Sequence, residues 1–284
     1  MVRIKIQDWQ TEFSDLMRGI AGAFLFGAPF LYTMEVWWKG NFTSPPRMML
    51  ILGMAYLALV LLNIKGGFRA EQPRSRTQVL VESAEGLAIA LFTATLSMTL
   101  LDIVHVETGI DAIMGRLITL SLPFSIGVGI ANNLLLRVGD DEDDSNKNRD
   151  HPLRSTLSDA GAALLGAIVV GSSIAPTDEI PMISSSLEPM RLLLIMASSL
   201  LLSYIIVFEA NFGAQRQRRS QSGLFQRPIS ETVAAYLIAL VAATLMLWLF
   251  QVIRVGDPIN QWVSYIIVLG LPCTIGGAAG RLAV

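Results

Sequence analysis

Residues 118–131, ITLSLPFSIGVGIA, and residues 267–280, IVLGLPCTIGGAAG, are two versions of one stretch. Leu122 falls on Leu271, Pro123 on Pro272, Ile126 on Ile275 and Gly127 on Gly276, each displaced by 149 positions (272 − 123). Apolar composition alone is easily shared by chance. A breaker and a glycine at the same offset are not, so the rest of a repeat is to be sought first.

Upstream the displacement is 144 (158 − 14): Ser14-Asp15 matches Ser158-Asp159, Gly22 matches Gly166, and Thr33-x-Glu35 matches Thr177-x-Glu179. Pro45-x-Arg47 falls on Pro189-x-Arg191, and Phe68 on Phe212. Beyond Phe68 the displacement grows to 149, pairing Glu82 with Glu231, because the second copy's polar loop is five residues longer (149 − 144). Loops tolerate such insertions. The pattern reads as a tandem duplication.

The 284 residues are 52% hydrophobic and 15% charged, with a mean hydropathy of +0.54. A soluble domain carries about a quarter charged residues, and here the deficit is concentrated in long apolar runs separated by short polar connections. That is the pattern of an all-α polytopic membrane protein. The lipid bilayer is then its first partner. A net charge of −2 with scattered Lys and Arg gives nucleic acid no basic face. The lone Cys273 excludes an internal disulfide and a cysteine metal cluster, and His105 and His151 are too few and too distant for a histidine zinc site. Residues 1–18 contain Asp8, Glu12 and Asp15, so no cleavable leader is expected.

Eight spans are expected, at about residues 19–38, 47–64, 79–104, 113–137, 157–175, 189–208, 229–252 and 261–283, with Pro29 interrupting the first and a break at Ala175-Pro176-Thr177 ending the fifth. The connections after spans two, four and six each hold four basic residues, for example Lys65, Arg69, Arg74 and Arg76, and the others hold two at most. The excess of cytoplasmic Lys and Arg in membrane proteins then puts both termini in the cytoplasm of a bacterial inner membrane. An even number of spans per copy gives two parallel four-helix repeats, residues 1–138 and 154–284. The charge-dense segment 139–153 links them.

No pattern of nucleophile, metal or phosphate chemistry is present, so the chain is not expected to be an enzyme, and no cofactor or metal is expected. The cluster Asp102, His105, Glu107 and Asp111 has irregular spacing and reads as a solvated loop. The paired acids are sharper. A carboxylate at membrane depth costs up to roughly 2.5–3.5 kcal/mol on insertion scales, yet both copies keep one at Glu35 and Glu179, near the outer interface. Snorkelling to water or pairing with Arg47 and Arg191 is their structural reading, and a pair of quasi-symmetric cation or proton ligands at the outer vestibule is the functional one. Asp15, Asp159, Glu82 and Glu231 fall at the cytoplasmic starts of spans, with Glu85 one turn deeper than Glu82 and on its face. Helix N-capping is the structural reading of the Ser-Asp pairs. An inner ring of ion ligands, with Arg18, Arg74 or Arg227 as counterions, is the functional one. Pro123-Gly127 and Pro272-Gly276 are expected to kink spans four and eight or to allow close helix packing.

The run APTDEIP at 175–181, with EPMR at 188–191 and LPFSIG at 122–127, resembles a bacterial family of integral membrane proteins without an assigned function, over essentially the whole chain. Locally, Phe13-Ser14-Asp15 and Leu157-Ser158-Asp159 are similar to the Phe-Ser-Asp start of the pore-lining first helix in potassium channels of the transmembrane-175 type. Those channels carry six spans per repeat against four here. The likeness implies that spans one and five are the central pair. Together these readings point to a channel or transporter for H+, Na+, K+ or Ca2+ along a pseudo-twofold axis, as a monomer or homo-oligomer. The alternative is a non-transporting scaffold or sensor that binds a partner through its loops.

Overall fold

Helix α1, Val2–Leu31, meets no proline or glycine before Gly19, so nothing halts it at the interface. At ~1.5 Å per residue its 30 residues reach about 45 Å. This corrects the capping reading of Ser14-Asp15: Asp15 sits well inside the helix, not at its start. The structure is a computed structural model that describes residues 2–64, 68–69, 75–105, 107–140, 152–209 and 228–282. Residues 141–151 of the linker, and the basic residues Lys65, Arg74 and Arg227, lie outside them.

The remaining helices are α2 (Met34–Asn41), α3 (Pro45–Asn63), α4 (Arg76–Leu100), α5 (Ile110–Asp140), α6 (Pro152–Ile174), α7 (Glu179–Ser186), α8 (Pro189–Tyr204), α9 (Pro228–Leu249) and α10 (Ile259–Leu282). A π-helical turn, Ile205–Glu209, extends α8. No strand occurs among the described residues. Two starts follow from composition: α3 and α8 each begin on a proline, where the missing N–H is not needed.

Among the described residues six helices are long and apolar enough to cross a membrane, and the count is eight if each of two bent pairs is one crossing. The bent pairs fall where Pro29 was expected to interrupt span one and where span five was expected to break near Pro176. Residues Thr11–Leu31 meet Met34–Asn41 at 82°, and Asp159–Ile174 meet Glu179–Ser186 at 89°. Prolines 29 and 176 sit at these corners. The Thr33 hydroxyl donates to the Pro29 carbonyl at 2.8 Å and the Thr177 hydroxyl to the Ile174 carbonyl at 2.7 Å. At the first corner, Trp37 Nε1 also donates to the Leu31 carbonyl at 2.8 Å. The matched threonine therefore serves the helix end at each bend, and at the second corner its hydroxyl joins its own N–H, which reaches the Ile174 carbonyl at 3.1 Å.

By internal contacts the chain divides into two units, Met1–Met98 with Val104–Leu136 and Glu209–Asn211, and Thr99–Ile103 with Arg137–Phe208 and Phe212–Val284. In the first unit α1 crosses α5 where glycine meets glycine. A Cβ built on Gly22 would strike the Gly127 carbonyl oxygen, and one built on Gly127 would strike that of Gly22. In the second unit Gly166 and Gly276 exclude a Cβ from one another in the same reciprocal way. Small residues let backbones approach where lipid offers no hydrophobic drive for association. Further along α5, Gly40 of α2 packs on the backbone of Gly115 and Arg116, so the bent pair follows α5 along its length. Helices α5 and α10 run through Pro123 and Pro272 without a break, and both prolines are buried.

Candidate functional site

Asp15 and Arg18 stand three residues apart on α1, on one face, and bond at 2.7 Å. They are 4% and 2% exposed, which makes this an ion pair withdrawn from solvent. Arg18 also donates to the Phe68 carbonyl at 3.0 Å. Phe68 is buried, and its ring closes against Gly19.

The next residue extends the arrangement. Arg69 donates to both carboxylate oxygens of Glu12, at 2.9 and 3.0 Å, and to Glu85 at 2.8 Å. Its guanidinium lies 5.7 Å from the centre of the Phe68 ring. Burial works to lower the Arg69 pKa, but the hydrogen bonds and charges of Glu12 and Glu85 outweigh it and raise the pKa above the usual arginine value. Glu82 is half-buried on α4 and within electrostatic range of Arg69, Glu85, Asp15 and Glu12. Asp15, Glu82 and Glu85 are thus brought together, stitched by two arginines and the Phe68-Arg69 segment.

The second unit builds a related cluster from different donors. Glu231 is in the first turn of α9 and half-buried, and it forms an ion pair with Arg281 in the last turn of α10. Arg281 is 2% exposed. Asp159, the match of Asp15, is half-buried on α6. Of the counterions expected from sequence, Arg18 is engaged, and Arg74 and Arg227 fall outside the described residues. Glu12, Phe68 and Arg69 were not expected in the cluster, and neither was Arg281, whose equivalent position in the first copy is Asn132 (281 − 149).

Glu35 and Glu179 occupy the same local place, the first turn of the short helix after each corner, where a carboxylate faces the positive end of the helix dipole. Their surroundings differ: Glu35 is exposed and Glu179 buried. Arg191, the expected partner of Glu179, pairs with Asp102 at 2.7 Å and donates to the Thr99 carbonyl at 2.7 Å. Arg47 is exposed. Pro123, Gly127, Pro272 and Gly276 belong to the helix crossings rather than to either cluster. Among the described residues no three His, Cys, Asp or Glu side chains are grouped to hold a metal.

Neither the curated proteins nor the solved structures provide a match to this chain. The family model described as "Putative integral membrane protein (DUF2391)" matches residues 15–284, a match that begins at the Asp15 of the first cluster, and the chain belongs to that family.

Proposed function

We propose that the protein moves a small inorganic cation, H+, Na+, K+ or Ca2+, across a bacterial inner membrane, with its acid and arginine clusters as the cytoplasmic gate. The observation that carries this reading is the buried Asp15–Arg18 pair. Such a pair gains little stability over well-packed apolar side chains of the same volume, and ionisable groups at membrane depth are by default candidates for function. Eight crossings in two parallel repeats are the architecture of the proposal. Its support is the equivalence of matched positions: reciprocal glycine crossings, corners of 82° and 89°, and left-handed backbone at Asp102 and at Gln251 (251 − 102 = 149).

The arginines make this a gated path. Every acid bonded to a guanidinium must exchange that partner for the arriving cation, so passage requires the side chains to separate. Protons satisfy the requirement most simply, by neutralising the carboxylate itself. The non-transporting scaffold is the second reading. What favours it is that Arg69 binds two exposed acids, Glu12 and Glu85, as a plain surface clasp does.

Flux into proteoliposomes under Na+, K+, Ca2+ and H+ gradients separates the two. Transport predicts flux for one of these ions, reduced by Glu82→Gln and by Glu35→Gln with Glu179→Gln in a protein that still folds. No flux for any of the four would leave the scaffold.

A further inference from the structure

Arg18 and Arg281 do not match in sequence. The position equivalent to Arg18 is Ala162 (18 + 144), and the position equivalent to Arg281 is Asn132. Geometry nevertheless relates them. In the first unit, Gly22 of α1 packs on Gly127 and Ala131 of α5, and Arg18 lies one turn before Gly22 on α1. In the second unit a Cβ on Gly280 would strike the Ala162 carbonyl oxygen, which sets Arg281 beside Ala162. The two arginines leave opposite helices of the same kind of crossing, at the same level, and each is 2% exposed. Each meets one member of a duplicated acid pair: Arg18 meets Asp15 of Asp15/Asp159, and Arg281 meets Glu231 of Glu82/Glu231.

A guanidinium stays charged at any accessible pH, and a buried one must face a carboxylate. An acid pair retained in both copies has the converse requirement. We infer that Arg281 is the second unit's counterpart of Arg18: each unit needs one buried guanidinium against its acid pair, and the helix that supplies it is interchangeable. This holds whether or not the protein transports an ion.

The test is relocation, in the purified full-length protein, read as the midpoint of thermal unfolding in detergent. Arg18→Ala and Arg281→Asn each lower the midpoint. Arg18→Ala with Asn132→Arg rebuilds the second unit's arrangement in the first, and Arg281→Asn with Ala162→Arg does the reverse. The expected result is that a relocated arginine recovers more than half of the loss in at least one unit. Separately, Asp15→Asn added to Arg18→Ala, and Glu231→Gln added to Arg281→Asn, raise the midpoint by removing the stranded charge. If neither relocated arginine improves on its single variant, the helices are not interchangeable and the inference falls. It falls equally if neutralising the acids relieves nothing, since the arginines would then act by packing alone.

Discussion

The backbones of Gly22 and Gly127 touch, each leaving no room for a Cβ on the other. Gly53 on α3 and Gly161 on α6 face open space. An alanine at Gly22 or Gly127 must push two helices apart, and overpacking of this kind costs about 1–3 kcal/mol. An alanine at Gly53 or Gly161 relieves backbone entropy, a gain of roughly 0.5–1 kcal/mol in a helix interior. Unfolding midpoints of the four variants in detergent should therefore split in sign. Equal effects at Gly22 and Gly53 would mean that the crossing is looser than its geometry.

The residues of that crossing could be found in the sequence because close approach tolerates only small side chains, and Gly22, Gly127, Gly166 and Gly276 all sit at matched positions. The corners could be found only as breaks, at Pro29 and Pro176. A proline does not say how far the chain turns, so Glu35 was expected on the first span rather than on a separate short helix after an 82° bend. The place of Asp15 was misread because a Ser-Asp pair favours a helix start, while nothing in residues 2–13 prevents the helix from beginning earlier. Arg281 had no match, and an unmatched residue carries no repeat signal. Its ion-pair partner, Glu231, stands on another helix that only packing brings near.

The Asp15–Arg18 pair can be dissected because both partners are buried. Removing either one strands a charge, at a cost of about 3–5 kcal/mol, whereas Asp15→Asn with Arg18→Met removes both charges together. The double variant should be more stable than either single one, and a double-mutant cycle on unfolding midpoints measures the difference. Additive losses would contradict a desolvated pair.

Gln251 has a φ of 60°, which a residue with a Cβ adopts at a cost of roughly 1–2 kcal/mol. It is exposed, in the turn that follows the last residue of α9, Leu249. Gln251→Gly removes the strain and should raise stability by up to about 1 kcal/mol, while Gln251→Val lowers it. Asp102, with a φ of 56°, differs because its carboxylate holds Arg191. Glycine there loses the ion pair along with the strain, so Asp102→Gly should stabilise less than Gln251→Gly in the same assay.

Arg69 is the counterpart of Arg18 at the surface. Its acid partners are exposed, and exposed ion pairs contribute about 0.2–1 kcal/mol each. Raising salt to about 1 M shortens the screening length to about 3 Å, so Arg69→Gln should cost little and its cost should fade with salt. Arg18→Met should be costly and nearly indifferent to salt. The Arg69 pKa is raised, and the sign follows: a base held more tightly in the folded state contributes in full below its unfolded value and loses that contribution only as pH rises past the higher folded one. Between pH 6 and about 10 the arginine side of the clasp is therefore constant, and unfolding midpoints of Arg69→Gln and parent should run parallel over that range. If the clasp also closes the proposed gate, Arg69→Gln raises flux at low salt and matches the parent at high salt. A flux difference that survives high salt would assign Arg69 a role other than the clasp.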